Sequence, residues 1–330
     1  MKIIENTLFV ISVLFGLFFL GPEVEAPDLE LPQPEISLSL PELKDWIDTK
    51  ESALDNIKPD NASQLEFYDS IPQKTAYSIL YLHGFSASTG EGDPVHRNIA
   101  RALKANIYLP RLSDHGLIEQ EPMLNFTGQK YLDSASEALA VAKKIGEKVI
   151  VISSSTGGTL SLILGNDPQI AALLLFGPNV EIYDPKSKLL TLPWGLQIAE
   201  WVLGSKYHNM NKITEEKKNY WTIRYRLEST VELQKLVETG MRPEIFQRIT
   251  APVFMGYYYK NEEEQDKVVS IPAMLRMFDQ LGTPEDKKQK VAFPEAGDHV
   301  IISHLSTPNY QQAELAALAF LQKQLDVELN

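Results

Sequence analysis

Residues 148–158 read Lys-Val-Ile-Val-Ile-Ser-Ser-Ser-Thr-Gly-Gly, and the fold turns on how that stretch is read. The β-branched run Val149 to Ile152 has the composition of a strand buried on both faces. It stops in three serines followed by Thr156, Gly157 and Gly158, and a helix-like run, Thr159 to Gly165, comes next. A strand that turns so sharply into a helix needs small residues two places either side of the apex, because larger side chains would meet neighbouring backbone. The apex residue is then strained and its side chain exposed, as in the pattern G-x-S-x-G. Of the three serines only Ser155 fits the apex, with Ser153 at −2 and Gly157 at +2. The serine at −2 departs from the pattern. A strand followed by an ordinary serine-capped helix is the competing reading of this segment.

Other segments bear on the choice. Ala76 to Leu82 is a second apolar strand, ending in His83-Gly84-Phe85-Ser86. Pro252 to Tyr258 is another, followed by a polar loop and Asp266-Lys-Val-Val269. Val291 to Phe293 is a short strand that leads into Gly297-Asp-His299. Ser155, Asp266 and His299 thus each follow a strand, in the chain order Ser…Asp…His. The sequence predicts strands at 65–69, 77–83, 106–109, 148–154, 172–177, 253–258 and 289–293. It predicts helices at 94–104, 128–145, 156–165, 271–281 and 309–325. Such alternation implies an α/β protein, with a mostly parallel sheet covered by helices on both faces. The stretch 178–250 shows no strand signal and is read as a helical insertion. It holds Trp194, Trp201 and Trp221, and is rich in leucine and isoleucine between 189 and 198.

The chain resembles the α/β-hydrolases, in particular the carboxylesterase and monoacylglycerol-lipase-like branch. The resemblance rests on His83-Gly84-Phe85, on Pro110-Arg-Leu-Ser-Asp-His-Gly116, on Ser153-x-Ser155-x-Gly157-Gly158, on Asp266-x-Val-Val269 and on Gly297-Asp-His299. Relatives usually carry P-x-L-P-G-H-G in the second of these, so Ser113-Asp114 departs from the pattern. The likeness covers about residues 75–325. It implies that 178–250 is a lid, that Ser155, Asp266 and His299 form a catalytic triad, and that the backbone N–H groups of Phe85 and Thr156 form the oxyanion hole. An apolar lid over a serine nucleophile suggests an acyl pocket, for which Trp194, Leu196 and Trp201 are the candidate lining. The competing reading is that the tryptophans only pack the lid onto the body.

Composition narrows the choice. The 330 residues are 44% hydrophobic, and the net charge of −13 argues against a nucleic-acid or anionic-lipid surface. The chain has no cysteine, which excludes disulfides, thiolate metal sites, a cysteine nucleophile and a lipoprotein anchor. Leu8 to Gly21 is an uncharged apolar run, shorter than the roughly 20 residues of a membrane span and closer to a signal-peptide core. Residues 1–21 are therefore expected to be a signal peptide or membrane anchor, with 3–21 able to associate with a membrane. Residues 22–60 read as a proline-rich acidic linker and lead-in, and 61–330 as the hydrolase domain. Export, to a membrane-anchored, periplasmic or extracellular position, is the expectation.

A serine hydroxyl needs a base within reach. Of the six histidines, His299 is the best placed, with His304 as runner-up. His83 is expected to orient the oxyanion loop, His115 to sit in a structural turn, and His96 and His208 to lie at the surface. Asp266 is favoured as the acid, although Glu262, Glu263 and Glu264 in the same loop compete for that role. Asp298, adjacent to His299, is expected to point away from it. The expected reaction is acyl transfer from a small hydrophobic ester to water, without metal or organic cofactor. A peptidase or thioesterase, or a non-catalytic binding protein on the same scaffold, remains as an alternative.

Overall fold

The computed structural model of the protein describes residues 6–7, 16–32, 34–210 and 213–329. Seven strands form one sheet: β1 (Gln64–Glu66), β2 (Thr75–Leu82), β3 (Asn106–Leu109), β4 (Gly146–Ser154), β5 (Ile170–Phe176), and two later ones. The later pair, numbered β8 (Val253–Tyr257) and β9 (Lys288–Ala292), follows the insertion. The spatial order is β1-β3-β2-β4-β5-β8-β9. Only β1 runs antiparallel to its neighbour, and every other pairing is parallel.

The continuous apolar runs follow from burial on both faces. Leu80, Leu82, Val149, Val151, Leu173, Leu175, Val253 and Met255 face one core. Their alternates Ile79, Tyr81, Ile150, Ile152, Ala172, Leu174, Phe176 and Phe254 face the other, as the period of two requires. The first core is closed by α3 (Gly128–Ile145), α4 (Thr156–Leu164) and α9 (Ile271–Asp279). The second is closed by α2 (Val95–Ala102) and α10 (Tyr310–Leu325). Thr127 and Ser270 cap α3 and α9, each hydroxyl accepting from an amide three residues on.

The lead-in differs from the expectation. Residues 22–32 and 34–38 form no helix or strand, yet they do not stand off the body. Leu29, Leu31, Ile36 and Leu38 pack on the first core, and the Ser136 hydroxyl donates to the Pro32 carbonyl (2.7 Å). A 13-residue helix, α1 (Leu40–Ser52), then follows, with Leu43 and Ile47 fully buried. Its start is fixed by a reciprocal capping box between Ser39 and Glu42, with Pro41 in the first turn. The expected signal or anchor falls largely outside the described residues. Among those described, no helix is long and apolar enough to cross a membrane.

The insertion between β5 and β8 also contains strands. Its elements are α5 (Gly195–Leu203), β6 (Tyr207–Asn209), α6 (Glu215–Tyr220), β7 (Arg224–Arg226), α7 (Leu227–Gly240) and α8 (Pro243–Phe246). β6 and β7 pair antiparallel into a small ribbon. Three-residue strands carrying Arg, His and Asn give no alternating apolar pattern, which is why the sequence reads as strandless there.

Candidate active site

The C-terminal ends of β2, β4, β8 and β9 and the loops that follow them carry the candidate residues, the edge at which parallel α/β sheets place their ligand sites. Ser155 stands between β4 and α4 at φ 52°, ψ −120°. This strained apex is held from three sides. Its N–H donates to the Phe176 carbonyl (3.0 Å), and its carbonyl accepts from Gly158 (2.8 Å) and Asn179 (2.9 Å). A Cβ on Gly157 would stand 1.9 Å from the Leu82 carbonyl oxygen, so the +2 position admits only glycine. Ser153 and Ser154 are buried, while Ser155 is partly exposed. The Ser155 side chain makes no capping bond to α4, so the structure does not use it as an ordinary helix cap.

His299 lies in the loop after β9, where Gly297 takes φ +69°. Its Nδ1 donates to Asp266 Oδ2 at 2.5 Å. The remaining Asp266 oxygen accepts from the amides of Val268 (2.8 Å) and Val269 (3.1 Å), so the loop itself fixes the carboxylate. The imidazole packs over the end of β5, where a Cβ on Gly177 would stand 3.2 Å from its Cε1. His299 Nε2 is buried and without a partner among the described residues. Burial alone would lower the His299 pKa, but the charge and hydrogen bond of Asp266, aided by Asp298 and Glu91, raise it above its ordinary value. Glu262, Glu263 and Glu264 are exposed, and the bonds of Glu262 and Glu264 are to Tyr259, Lys260, Asn261 and Gln265. His304 bonds to the Asp93 carbonyl.

The turn after β2 is built by His83. The Leu112 amide donates to its Nε2 (3.1 Å), so its Nδ1 carries the proton and donates to the Gly84 carbonyl (2.9 Å). Burial holds the ring neutral, with a pKa lowered to about 4. The Gly84 carbonyl also accepts from Ala87 N–H. A peptide plane places C=O and N–H on opposite sides, so these bonds turn the Phe85 N–H away from them. Thr156, at the first position of α4, has an amide with no intrahelical acceptor. A Cβ on Gly84 would stand 3.1 Å from the Ser155 Cβ, which sets how closely the turn and the serine approach.

No known family profile matches the chain, and no curated protein sequence does. Solved structures do. A chain from work on LipS and LipT, two metagenome-derived lipolytic enzymes, superposes with a TM-score of 0.65 at 15% identity, over 81% of this chain and 99% of its own. The monoacylglycerol lipase of Paleococcus ferrophilus gives 0.56 at 10% identity, over 79% and 98%. Est1E from Butyrivibrio proteoclasticus gives 0.53 at 16%, over 82% and 98%. The fold is the α/β-hydrolase fold.

Within the α/β-hydrolase fold the insertion has two unlike halves. Trp221 is buried against Ala87 and Val300, and so packs the insertion onto the body. Trp201 is 84% exposed, so the expectation that it lines an enclosed acyl pocket does not fit this structure. Trp194 is 38% exposed, and its indole N–H donates to the Leu17 carbonyl (3.1 Å) rather than facing a pocket. Leu196 is half-buried on α5, the helix that packs against α7. Asp298 turns away from His299 to pair with Lys217 of α6 at 2.9 Å. His115 is buried in a turn, with its Nδ1 on the Ser113 carbonyl, and His208 is exposed on β6. His96 is a correction. It is fully buried against the Tyr81 ring, because α2 turns that face to the sheet. The sequence reading missed Glu91, which is buried beside Gly84. Its setting, Thr-Gly-Glu-Gly-Asp, has the look of a solvated polar loop.

Proposed function

We propose that the protein is a serine hydrolase that cleaves carboxylic esters through an acyl-enzyme, with Ser155, His299 and Asp266 as its triad. The observation that carries the reading is a strained, partly exposed Ser155 on the same sheet edge as a hydrogen-bonded His299–Asp266 pair. In this scheme His299 Nε2 takes the Ser155 proton as the hydroxyl attacks the ester carbonyl, and later returns it to the leaving alcohol. Asp266 fixes the tautomer that leaves Nε2 free and stabilises the imidazolium. The N–H groups of Phe85 and Thr156 receive the oxyanion, and water then releases the acid. Three of the structural neighbours are described as lipolytic, lipase or esterase proteins, which supports an ester over an amide or thioester.

The same proposal puts the enzyme outside the cytoplasm, on the apolar run Leu8 to Gly21. Residues 22–60 serve as its lead-in and 61–330 as the catalytic domain, with a lid at about 178–250. Fractionation that finds the full-length chain soluble in the cytoplasm would remove that part alone.

A fluorophosphonate probe, with mass spectrometry of the labelled peptide, tests the chemistry. Labelling at Ser155 and turnover of aryl esters are expected, both lost in Ser155→Ala with folding retained. An active Ser155→Ala and an inactive Ser154→Ala would overturn the assignment.

A further inference from the structure

Glu91 lies on the short turn Thr89–Gly92 that follows β2 and is almost wholly buried, yet the acyl-transfer scheme gives it no part. Its Oε2 accepts from the Gly84 amide (2.7 Å) and from the Tyr81 hydroxyl (2.8 Å). Its Oε1 and the Ser155 Cβ lie 2.8 and 3.1 Å from the point where a Cβ on Gly84 would stand, so the two are no more than about 6 Å apart. Both donors to Oε2 are neutral groups. The Lys217 ammonium, which approaches from α6, is already bonded to Asp298.

Two consequences follow. Through Gly84 N–H, Glu91 helps set the orientation of the turn whose next amide, that of Phe85, is the proposed oxyanion donor. A charged carboxylate so close to Ser155 would also oppose the negative charge that grows on the substrate oxygen. With Oε2 occupied by two donors, a proton on this group belongs on Oε1. We propose that Glu91 is a positioning residue for ester hydrolysis, which clasps the oxyanion turn and works in its uncharged form, with its proton on Oε1. The proposal rests on the serine-esterase reading above.

The surroundings agree. Burial pushes the Glu91 carboxyl up to about 7, against the pull of the Gly84 and Tyr81 hydrogen bonds and of His299 and Lys217. The other groups near it do not titrate in that range or are already paired. Tyr81 on β2 and Tyr131 on α3 are raised well above the usual phenol range, first by burial and then by Glu91 itself. His96 on α2 is held neutral by burial, with a pKa of about 4, and Asp93 pairs with Arg97. His299, in the loop after β9, is the one neighbour that must titrate with Glu91, since the reaction needs it neutral.

Activity should therefore rise with pH as His299 loses its proton and fall again as Glu91 does. The test is kcat and KM for a soluble aryl ester between pH 5 and 9, in wild type, Glu91→Gln and Glu91→Ala. Gln keeps an acceptor for Gly84 and Tyr81 and cannot ionise. Glu91→Gln should keep kcat within about threefold of the wild-type maximum and lose the alkaline fall. Glu91→Ala should lower kcat about 10- to 100-fold with little change in KM, as a misplaced oxyanion donor does. If Glu91→Ala does not fold, the Glu91→Gln profile decides by itself. An alkaline limb unchanged in Glu91→Gln, or a kcat loss in Glu91→Gln as large as in Glu91→Ala, overturns the proposal. Fluorophosphonate labelling of wild type separates the two readings: no labelling at Ser155 sinks the esterase and the role of Glu91 with it, whereas a labelled, active wild type leaves Glu91 to be judged alone.

Discussion

The two halves of the insertion meet the body in opposite ways. Residues 214–226 are fastened to the loops around the site. The Thr222 amide donates to the Ser86 carbonyl (2.7 Å), Ser88 Oγ to the Tyr220 carbonyl (3.0 Å), and Lys58 Nζ to the Trp221 carbonyl (2.8 Å). The Tyr220 ring fills the space that a Cβ on Gly90 would need. Residues 189–203 instead expose Leu189, Leu192, Ile198, Trp201, Val202 and Leu203. Within the proposed lid, the first of these segments is tied to the loops beside Ser155, and the second carries its apolar surface open. Apolar content alone does not separate them, since tryptophan occurs in both. Hydrogen bonds to the body do.

The body should dominate every rate effect. Asp266→Asn is expected to lower kcat by about 10³- to 10⁴-fold, because an amide in that place favours the wrong imidazole tautomer. Glu263→Gln and Glu264→Gln should leave the rate within about twofold, since both side chains stand in solvent. Steady-state kinetics of the three variants check this. A large loss in either glutamine variant, with Asp266→Asn active, would relocate the acid.

The raised pKa of His299 gives the next effect in size. In the proposed reaction the imidazole must be neutral to accept the Ser155 proton, so a folded-state pKa above the ordinary 6.5 would move the acid limb of kcat/KM to higher pH. The expected midpoint therefore lies above 6.5, with activity falling roughly tenfold per pH unit below it. A midpoint below 6.5 would mean that burial outweighs Asp266.

Most of the fold was legible because buried parallel strands announce themselves. Val149 to Ile152 and Leu173 to Phe176 face helices on both sides, so they cannot be anything but apolar. The motif residues were legible because the backbone demands them, as the 1.9 Å clearance at Gly157 illustrates. What escaped was set by tertiary contact. His96 and Glu91 are ordinary polar residues in sequence, and only the packing of α2 and of the Thr89–Gly92 turn onto Tyr81 buries them. The helix α1 could have been found, since Ser39-x-x-Glu42 with Pro41 is a start signal, but five prolines at 22–41 mask it. The exposure of Trp201 carries no sequence signature, because a lid helix and a core helix share the same composition.

The fastened half should show a moderate effect when its tie is cut. Lys217 reaches across from α6 to Asp298, beside His299, and its side chain is largely buried. Lys217→Met keeps the aliphatic stem and removes the charge. A loss of about 1–2 kcal/mol is expected, because the bond is to a charged, partly buried carboxylate. Faster amide exchange over 215–222 should accompany it, read by hydrogen–deuterium exchange. Unchanged exchange there would show that the Thr222–Ser86 and Ser88–Tyr220 hydrogen bonds suffice.

The free half gives the smallest expected effect, and for that reason the sharpest test of the contrast. Trp201 is 84% exposed on α5, and a side chain that buries so little surface has little to lose. Trp201→Ala should change unfolding free energy by no more than about 0.5 kcal/mol. On soluble short-chain aryl esters its kcat/KM should stay within about twofold of wild type. An effect confined to longer acyl chains would mean that α5 folds over the site when such a substrate binds, carrying Trp201 inward and covering apolar area that is open here. The comparison of acetyl with octanoyl esters in wild type and Trp201→Ala reads this directly. A loss of activity on acetyl esters would break the contrast altogether, since it would require Trp201 to touch the reacting end of the site in the structure as it stands.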